Sequence, residues 1–227
     1  MSAPRPGIVP LRGVLFDLDG TLADSLATIA QAMVEAIELH GYSVAVEEVI
    51  PRVGPPMQVL ARDVTGATVD EAEAMFQDYL RIYHERYIRS TPPCPGADAM
   101  LRRLHAAGLQ LAVVTNKVEE GARILVEAQG WTELFRSIAG RDTSEPKPHP
   151  EAALHVLRDL RVAPEAAAIV GDTEFDMNCG RDAGLAMVIG VTGARDEAHL
   201  RVEGATHVVA HLDEVGSLLL ERCEVAS

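Results

Sequence analysis

The 227-residue chain has only three cysteines, Cys94, Cys179 and Cys223. They lack metal-ligand spacing and an odd number closes no disulfide framework, so the expected compartment is the reducing cytoplasm. No apolar run approaches the roughly 20 residues of a membrane-spanning helix. Residues 1–10 carry Arg5 but no apolar segment, so no export signal is expected. Cationic residues are also scarce. Lys and Arg number 20 against 34 Asp and Glu, a formal charge of −14, which argues against nucleic acid or a bilayer as partner and favours a small molecule. The chain shows no internal repeat and no low-complexity tract, and its Pro-rich start and last few residues read as frayed ends.

What is present is organised around Val14-Leu15-Phe16-Asp17-Leu18-Asp19-Gly20-Thr21-Leu22. A short apolar run that breaks into Asp-x-Asp-Gly-Thr predicts a buried strand ending in a tight turn, because glycine tolerates backbone angles closed to other residues. In extended chain, residues two apart share a face, so Asp17 and Asp19 are expected to point the same way, and two carboxylates so placed need a cation.

Beyond this stretch the period changes. Leu26, Ile29, Ala30, Met33 and Ile37 recur at helical steps up to Gly41, residues 57–64 form a second helical stretch, and Thr68 with Glu71 has capping-box spacing at the head of a longer helix toward Arg89. Nothing from Asp24 to Ser90 reads as a strand. Prolines 92, 93 and 95 then lead into alternating elements: helix 98–107, strand 109–114, a helix ending at Gly130, a short strand at 137–140, helix 150–160, strand 167–170, helix 174–183, strand 186–189 and a last strand at 207–209. The expected fold is α/β, a doubly wound parallel sheet of Rossmann-like type with a small all-helical cap inserted after the first strand. The expected divisions are core 1–22, cap 23–92 and core 93–227. Ligands of such sheets bind outside the carboxyl ends of the strands, so the insert is expected to lie above the site as a lid.

Three later stretches fall at strand ends. Val113-Val114-Thr115-Asn116-Lys117 offers a hydroxyl, an amide and the start of a helix, donors that suit a phosphate, with Lys117 read as a solvated helix residue. Glu145-Pro146-Lys147-Pro148-His149-Pro150 frames one ammonium between prolines. Gly171-Asp172-Thr173-Glu174-Phe175-Asp176 puts two aspartates four apart, on one side of a starting helix. Histidines 149, 155, 199, 207 and 211 lack ligand spacing, Trp131 reads as a packing anchor, and Cys179 as a small buried apolar residue.

These four stretches, in this order, resemble the four motifs of the haloacid-dehalogenase superfamily, and their spacing resembles its phosphoglycolate-phosphatase-like group. The resemblance implies a Mg²⁺-dependent phosphatase that works through an aspartyl-phosphate on Asp17, with Asp19 as general acid and then base. It implies Asp17, Asp172 and the backbone carbonyl of Asp19 as metal ligands, with Asp176 behind them. Thr115 and Asn116 would bind phosphate, and Lys147 would neutralise both phosphate and nucleophile. The partner it implies is a small phosphorylated metabolite, with the protein a monomer or homodimer. The Arg52-Val53-Gly54-Pro55-Pro56 loop is the expected place of substrate contact, with Arg52 for an anionic group on the leaving portion. A dehalogenase has no use for an acid at Asp19. A phosphomutase of the β-phosphoglucomutase type, an inorganic pyrophosphatase or a nucleotidase would share the core residues, whereas a binding module without turnover has no support from residues of these types.

Overall fold

Six short strands form one sheet in the computed structural model, which describes residues 9–53 and 56–223. They are β1 (Gly13–Phe16), β2 (Gln110–Val114), β3 (Phe135–Ala139), β4 (Ala167–Gly171), β5 (Met187–Val191) and β6 (His207–Val209). Their spatial order is β3-β2-β1-β4-β5-β6 and every pairing is parallel. Each strand is followed by helical chain, which is what lets its successor run the same way. β1, β4 and β5 are buried at every position; consecutive burial means both sheet faces are covered, and it explains why these strands read as unbroken apolar runs.

The chain divides into two compact units, Asp24–Pro92 and the remainder. Ala23 falls with the sheet unit, bridged to Pro93. The Asp24–Pro92 unit is helical: α1 (Leu26–Leu39), α2 (Val46–Val49), α3 (Met57–Thr65) and α4 (Val69–Ile82), with α1 packed on α4 and α3 on α4. Thr68 caps α4 as its spacing predicts. Its hydroxyl accepts from the Glu71 N–H at 3.3 Å while its own N–H donates to Glu71 Oε2 at 2.9 Å. The helix does not run on to Arg89. It widens at Ile82 into a π-helical turn over Tyr83–Tyr87 and then a short 3₁₀ turn over Ile88–Ser90. Periodicity carries on through such a change, so the sequence pattern does not register it.

In the sheet unit the helices are α5 (Ala97–Ala106), α6 (Glu119–Ala128), α7 (Glu151–Leu160), α8 (Glu174–Asp182), α9 (Glu197–Val202) and α10 (Leu212–Leu220). One core cluster joins Leu15, Val114 and Ile169 of the strands to Val156 and Leu157 of α7 and Met177 of α8. α10 packs against α5. α9 and α10 are not expected from the sequence; α9 has only 6 residues and is capped by Asp196, whose carboxylate accepts from the His199 N–H at 2.8 Å. Trp131 is fully buried, and its indole N–H donates to Asp98 Oδ1 at 3.0 Å. Among the described residues no helix is long and apolar enough to cross a membrane.

Candidate active site

Phe16, the last residue of β1, is in register with Val113 of β2 on one side and Val170 of β4 on the other. The residues that follow these three strands therefore leave the sheet side by side, at the point where the strand order turns outward from β1 in both directions. Asp17 comes first, its N–H donating to the Val170 carbonyl at 3.0 Å. The chain then turns sharply. The Leu18 carbonyl accepts from the N–H groups of Thr21, Leu22 and Ala23 at 3.2, 2.9 and 2.8 Å. Gly20 makes this possible with φ of +85°, and a β-carbon there would stand 2.5 Å from Asp172 Oδ2, so both backbone and space require glycine.

Asp172 follows β4 and is almost wholly buried. Its Oδ1 accepts from the buried Thr21 hydroxyl at 2.8 Å. The sequence alone assigns Thr21 no role, because a threonine after Asp-Gly carries no local sign that its partner lies 151 positions away. Asp176, fully buried in the first turn of α8, closes a capping box with Thr173, whose N–H and hydroxyl donate to Asp176 Oδ2 at 3.1 and 2.7 Å. Its other oxygen accepts from Lys147 Nζ at 2.5 Å. A β-carbon on Gly171 would overlap the Asp176 carboxyl, so close approach of that carboxyl depends on a glycine at the end of β4.

Asp17, Asp172 and Asp176 each present an oxygen to one cluster, all within 4.8 Å of one another. Lys147 Nζ stands 2.8 Å from Asp17 Oδ1 as well as on Asp176. Burial opposes the Lys147 ammonium, but the charges and hydrogen bonds of Asp17 and Asp176 together outweigh it and hold its pKa above the ordinary lysine value. Burial raises the Asp17 carboxyl to about 6, against the pull of Lys147 and with the added repulsion of Asp176 and Asp19. Asp172 is pushed up to about 8, by burial and then by the charges of Asp17 and Asp176.

Asp19 stands apart from this cluster. β1 has ended at Phe16, so the two-residue period does not extend to Asp17 and Asp19, and the two side chains pair with different lysines. Asp19 meets Lys117 Nζ at 2.9 Å. Lys117 was expected to be a solvated helix residue. It instead lies in the loop before α6 with a side chain only 8 % exposed, because the Asp19 carboxylate draws its ammonium inward. A lysine after Thr-Asn carries no sign of this in the sequence.

Thr115 is buried, and its hydroxyl oxygen accepts from the Lys117 N–H at 3.2 Å, leaving the hydroxyl proton to donate elsewhere. Asn116 turns toward Lys147: its Nδ2 donates to the Lys147 carbonyl at 3.0 Å and its Oδ1 accepts from the Lys147 N–H at 2.9 Å. The first N–H of α6, that of Glu119, donates to Asp142 Oδ1 at 2.8 Å. Arg52, in the helical unit, is exposed and donates to the Glu48 carbonyl; Gly54 and Pro55 of its loop lie outside the described residues.

The acidic cluster suits a divalent metal. Three buried carboxylates lie together with the Lys147 ammonium on two of them, and burial first, then their mutual repulsion, raises Asp17 and Asp172, so a further positive charge there would favour the anionic forms. An all-oxygen donor set fits a hard cation.

Residues 14–190 match the family model described as haloacid dehalogenase-like hydrolase. A phosphoglycolate phosphatase of Pseudomonas putida is 35 % identical over 191 residues, covering 81 % of this chain and 70 % of the relative. A protein of Caldanaerobacter subterraneus subsp. tengcongensis, provisionally named pyrophosphatase PpaX, is 33 % identical over 180 residues, covering 78 % of this chain and 80 % of its own length. Among solved structures, one from Haemophilus somnus described as a predicted phosphoglycolate phosphatase superposes with a TM-score of 0.83 at 26 % identity, covering 93 % of this chain and 99 % of that one.

Proposed function

The chain belongs to the haloacid dehalogenase-like hydrolases, and from that premise we propose that it is a Mg²⁺-dependent phosphatase that cleaves a small phosphate monoester of the phosphoglycolate kind. The observation that carries the reading is the Asp17 carboxylate. It is buried where the strand order reverses, 2.8 Å from the Lys147 ammonium and in one cluster with Asp172. An anionic nucleophile needs such company to approach a phosphate dianion.

In the proposed reaction an Asp17 oxygen attacks phosphorus as the ester P–O bond breaks, and the departing alkoxide takes the proton of Asp19. Asp17 then carries the phosphoryl group as an acyl phosphate. Asp19, now a carboxylate, takes a proton from water as the water oxygen attacks that phosphorus. The bond to Asp17 breaks, phosphate leaves and Asp19 is protonated again. Asp17, Asp172 and the Asp19 backbone carbonyl would hold Mg²⁺, and the chemistry it would supply is charge neutralisation and orientation of the phosphoryl group. Lys147 neutralises the nucleophile, Thr115 donates its hydroxyl proton to a phosphoryl oxygen, Asp176 holds Lys147, and Lys117 keeps the Asp19 carboxyl aimed. Arg52 is the candidate contact for an anionic leaving portion.

Incubation with p-nitrophenyl phosphate and Mg²⁺ tests the reading. Turnover abolished by Asp17→Asn and by chelation is the expected outcome, and no release of nitrophenol with any divalent metal between pH 5 and 9 would refute it. A panel of phosphoglycolate, pyrophosphate, nucleotides and hexose phosphates then ranks substrates. Preference for pyrophosphate would align the chain with the relative provisionally named for that activity, and an isomerised sugar phosphate in place of free phosphate would indicate a mutase.

A further inference from the structure

A carboxamide has one acceptor oxygen and two N–H donors in a single plane, and at Asn116 the oxygen and one of the N–H groups are both given to one residue's backbone. Oδ1 accepts from the Lys147 N–H at 2.9 Å and Nδ2 donates to the Lys147 carbonyl at 3.0 Å. The pair of bonds fixes which way round the amide lies, since the flipped orientation would set donor against donor and acceptor against acceptor. The two residues are 31 positions apart, one in the loop after β2 and the other in the proline-framed loop that follows β3. We propose that Asn116 acts through Lys147 and not on the phosphate: it is a positioning residue that holds the Lys147 backbone so that the ammonium meets Asp17 and Asp176.

The need for such a hold follows from what Lys147 must do. Its Nζ is placed between two carboxylates at 2.8 and 2.5 Å, and the nucleophilic one must be free to move toward phosphorus. A cation tethered by a flexible stem would follow the carboxylates. One whose main chain is pinned keeps its place while Asp17 changes from anion to acyl phosphate, and such preorganised charge is what favours the transition state. Asn116 lies between Thr115, whose hydroxyl is free to donate, and Lys117, which holds Asp19. Three consecutive residues after β2 thereby address three different parts of the site.

The inference rests on the phosphatase reading for its kinetic consequence but not for its structural one, and two measurements separate them. Amide hydrogen exchange at the Lys147 N–H reads the clamp directly, whatever the protein catalyses. Asn116→Ala is expected to speed exchange at that amide by about fivefold or more, the scale of one net hydrogen bond, with little change at Val113 in β2. Unchanged exchange at Lys147 overturns the clamp. With p-nitrophenyl phosphate and Mg²⁺, Asn116→Ala is expected to lower kcat by about a hundredfold, the scale of an ångström-sized misplacement, while KM and inhibition by inorganic phosphate stay within about twofold. In a Lys147→Met background the same substitution is expected to cost nothing further, because it has no ammonium left to place. A rise in the phosphate inhibition constant matching the loss of rate, or an additive loss in the double variant, would make Asn116 a phosphate ligand and overturn the proposal. Asn116→Asp, which keeps the acceptor for the Lys147 N–H but sets an anionic oxygen in place of the donor against the Lys147 carbonyl, supplies a second variant of nearly the same shape. It is expected to preserve protection of the Lys147 amide and still lower kcat. Absence of turnover in the unsubstituted protein would sink the phosphatase reading while the exchange result still decided the clamp.

Discussion

Lys147→Met removes the one ammonium placed among the clustered carboxylates while keeping a side chain of similar length. Lys147, Asp17 and Asp176 have side chains 2 %, 9 % and 0 % exposed, so the pairs are of the buried kind. There, loss of one partner leaves an uncompensated charge and costs about 3–5 kcal/mol, against about 0–1 for an exposed pair. That is a large part of a typical domain stability of about 5–15 kcal/mol. The loss is to be measured by urea unfolding in the presence of a chelator. Trp131 is the chain's single tryptophan and is buried in the unit that contains the site, so its fluorescence follows unfolding of that unit. Added Mg²⁺ is expected to return a larger share of stability to the variant than to the unsubstituted protein. Three carboxylates without an ammonium attract a divalent cation more strongly than three with one, so binding tightens although kcat collapses. Replacing both partners, Lys147→Met with Asp176→Leu, is expected to cost less than Lys147→Met alone, because no unpaired charge is left against Asp176. A chelated Lys147→Met protein that loses less than about 1 kcal/mol would refute the reasoning, since that is the value of a pair that water already screens.

Three further outcomes follow from the same geometry. In metal-free protein the folded state keeps protons on Asp17 and Asp172 up to pH about 6 and about 8, where the unfolded chain has released them near the ordinary value of 3.8. The folded state therefore binds more protons in that window, and these two groups lower stability as pH rises from about 4 to about 8. The increment in melting temperature on adding Mg²⁺ should thus grow with pH across that window, and an increment that is flat or falling would contradict it. Thr21→Val removes the hydroxyl that donates to Asp172 Oδ1 at 2.8 Å; Mg²⁺ affinity by calorimetry should fall about 10- to 100-fold, as for other groups that orient a ligand, and unchanged affinity would remove Thr21 from the site. Gly171→Ala drives a methyl group into the Asp176 carboxyl, and the expected cost is about 1–3 kcal/mol with a large loss of kcat; normal turnover would mean that the Lys147–Asp176 pair is dispensable.

The sheet was legible because its strands are short apolar runs that stop at Asp17, Thr115 and Asp172, and the burial that makes them legible is also what places their ends together. Harder to read was anything set by partners far apart in the chain. Thr21 looks like a turn residue until Asp172 is beside it, and nothing around Asn116 in the sequence signals its two hydrogen bonds to the Lys147 backbone. The end of α4 escaped for a different reason. Its apolar spacing continues into Tyr83 and Ile88, and a switch from α to π hydrogen bonding changes which carbonyl is used without changing which residues are apolar.

Asp17 and Asp19 carry the last step. An alternating strand would have put both carboxylates into the same surroundings, and two acids in one environment cannot easily be nucleophile and proton donor at once. The chain avoids this by ending β1 at Phe16 and turning at Gly20, so that a separation of two residues spans strand and turn instead of strand alone. Asp17 is thereby given to Lys147 in the buried cluster. Asp19, with a side chain 20 % exposed, is given to Lys117 outside it. Asp19 is the more exposed of the two acids, as the water attack in the second half of the proposed reaction requires, and Asp17 is the more deeply buried, in the low-dielectric cluster with Lys147 that the first half requires. The proposed division of labour between the two aspartates therefore rests on where the strand stops. A variant that lengthens β1 by replacing the turn residues Gly20-Thr21 with Val-Val should disable both halves even with each carboxylate retained; phosphatase turnover surviving in such a variant that still folds would show that the two acids do not need separate environments.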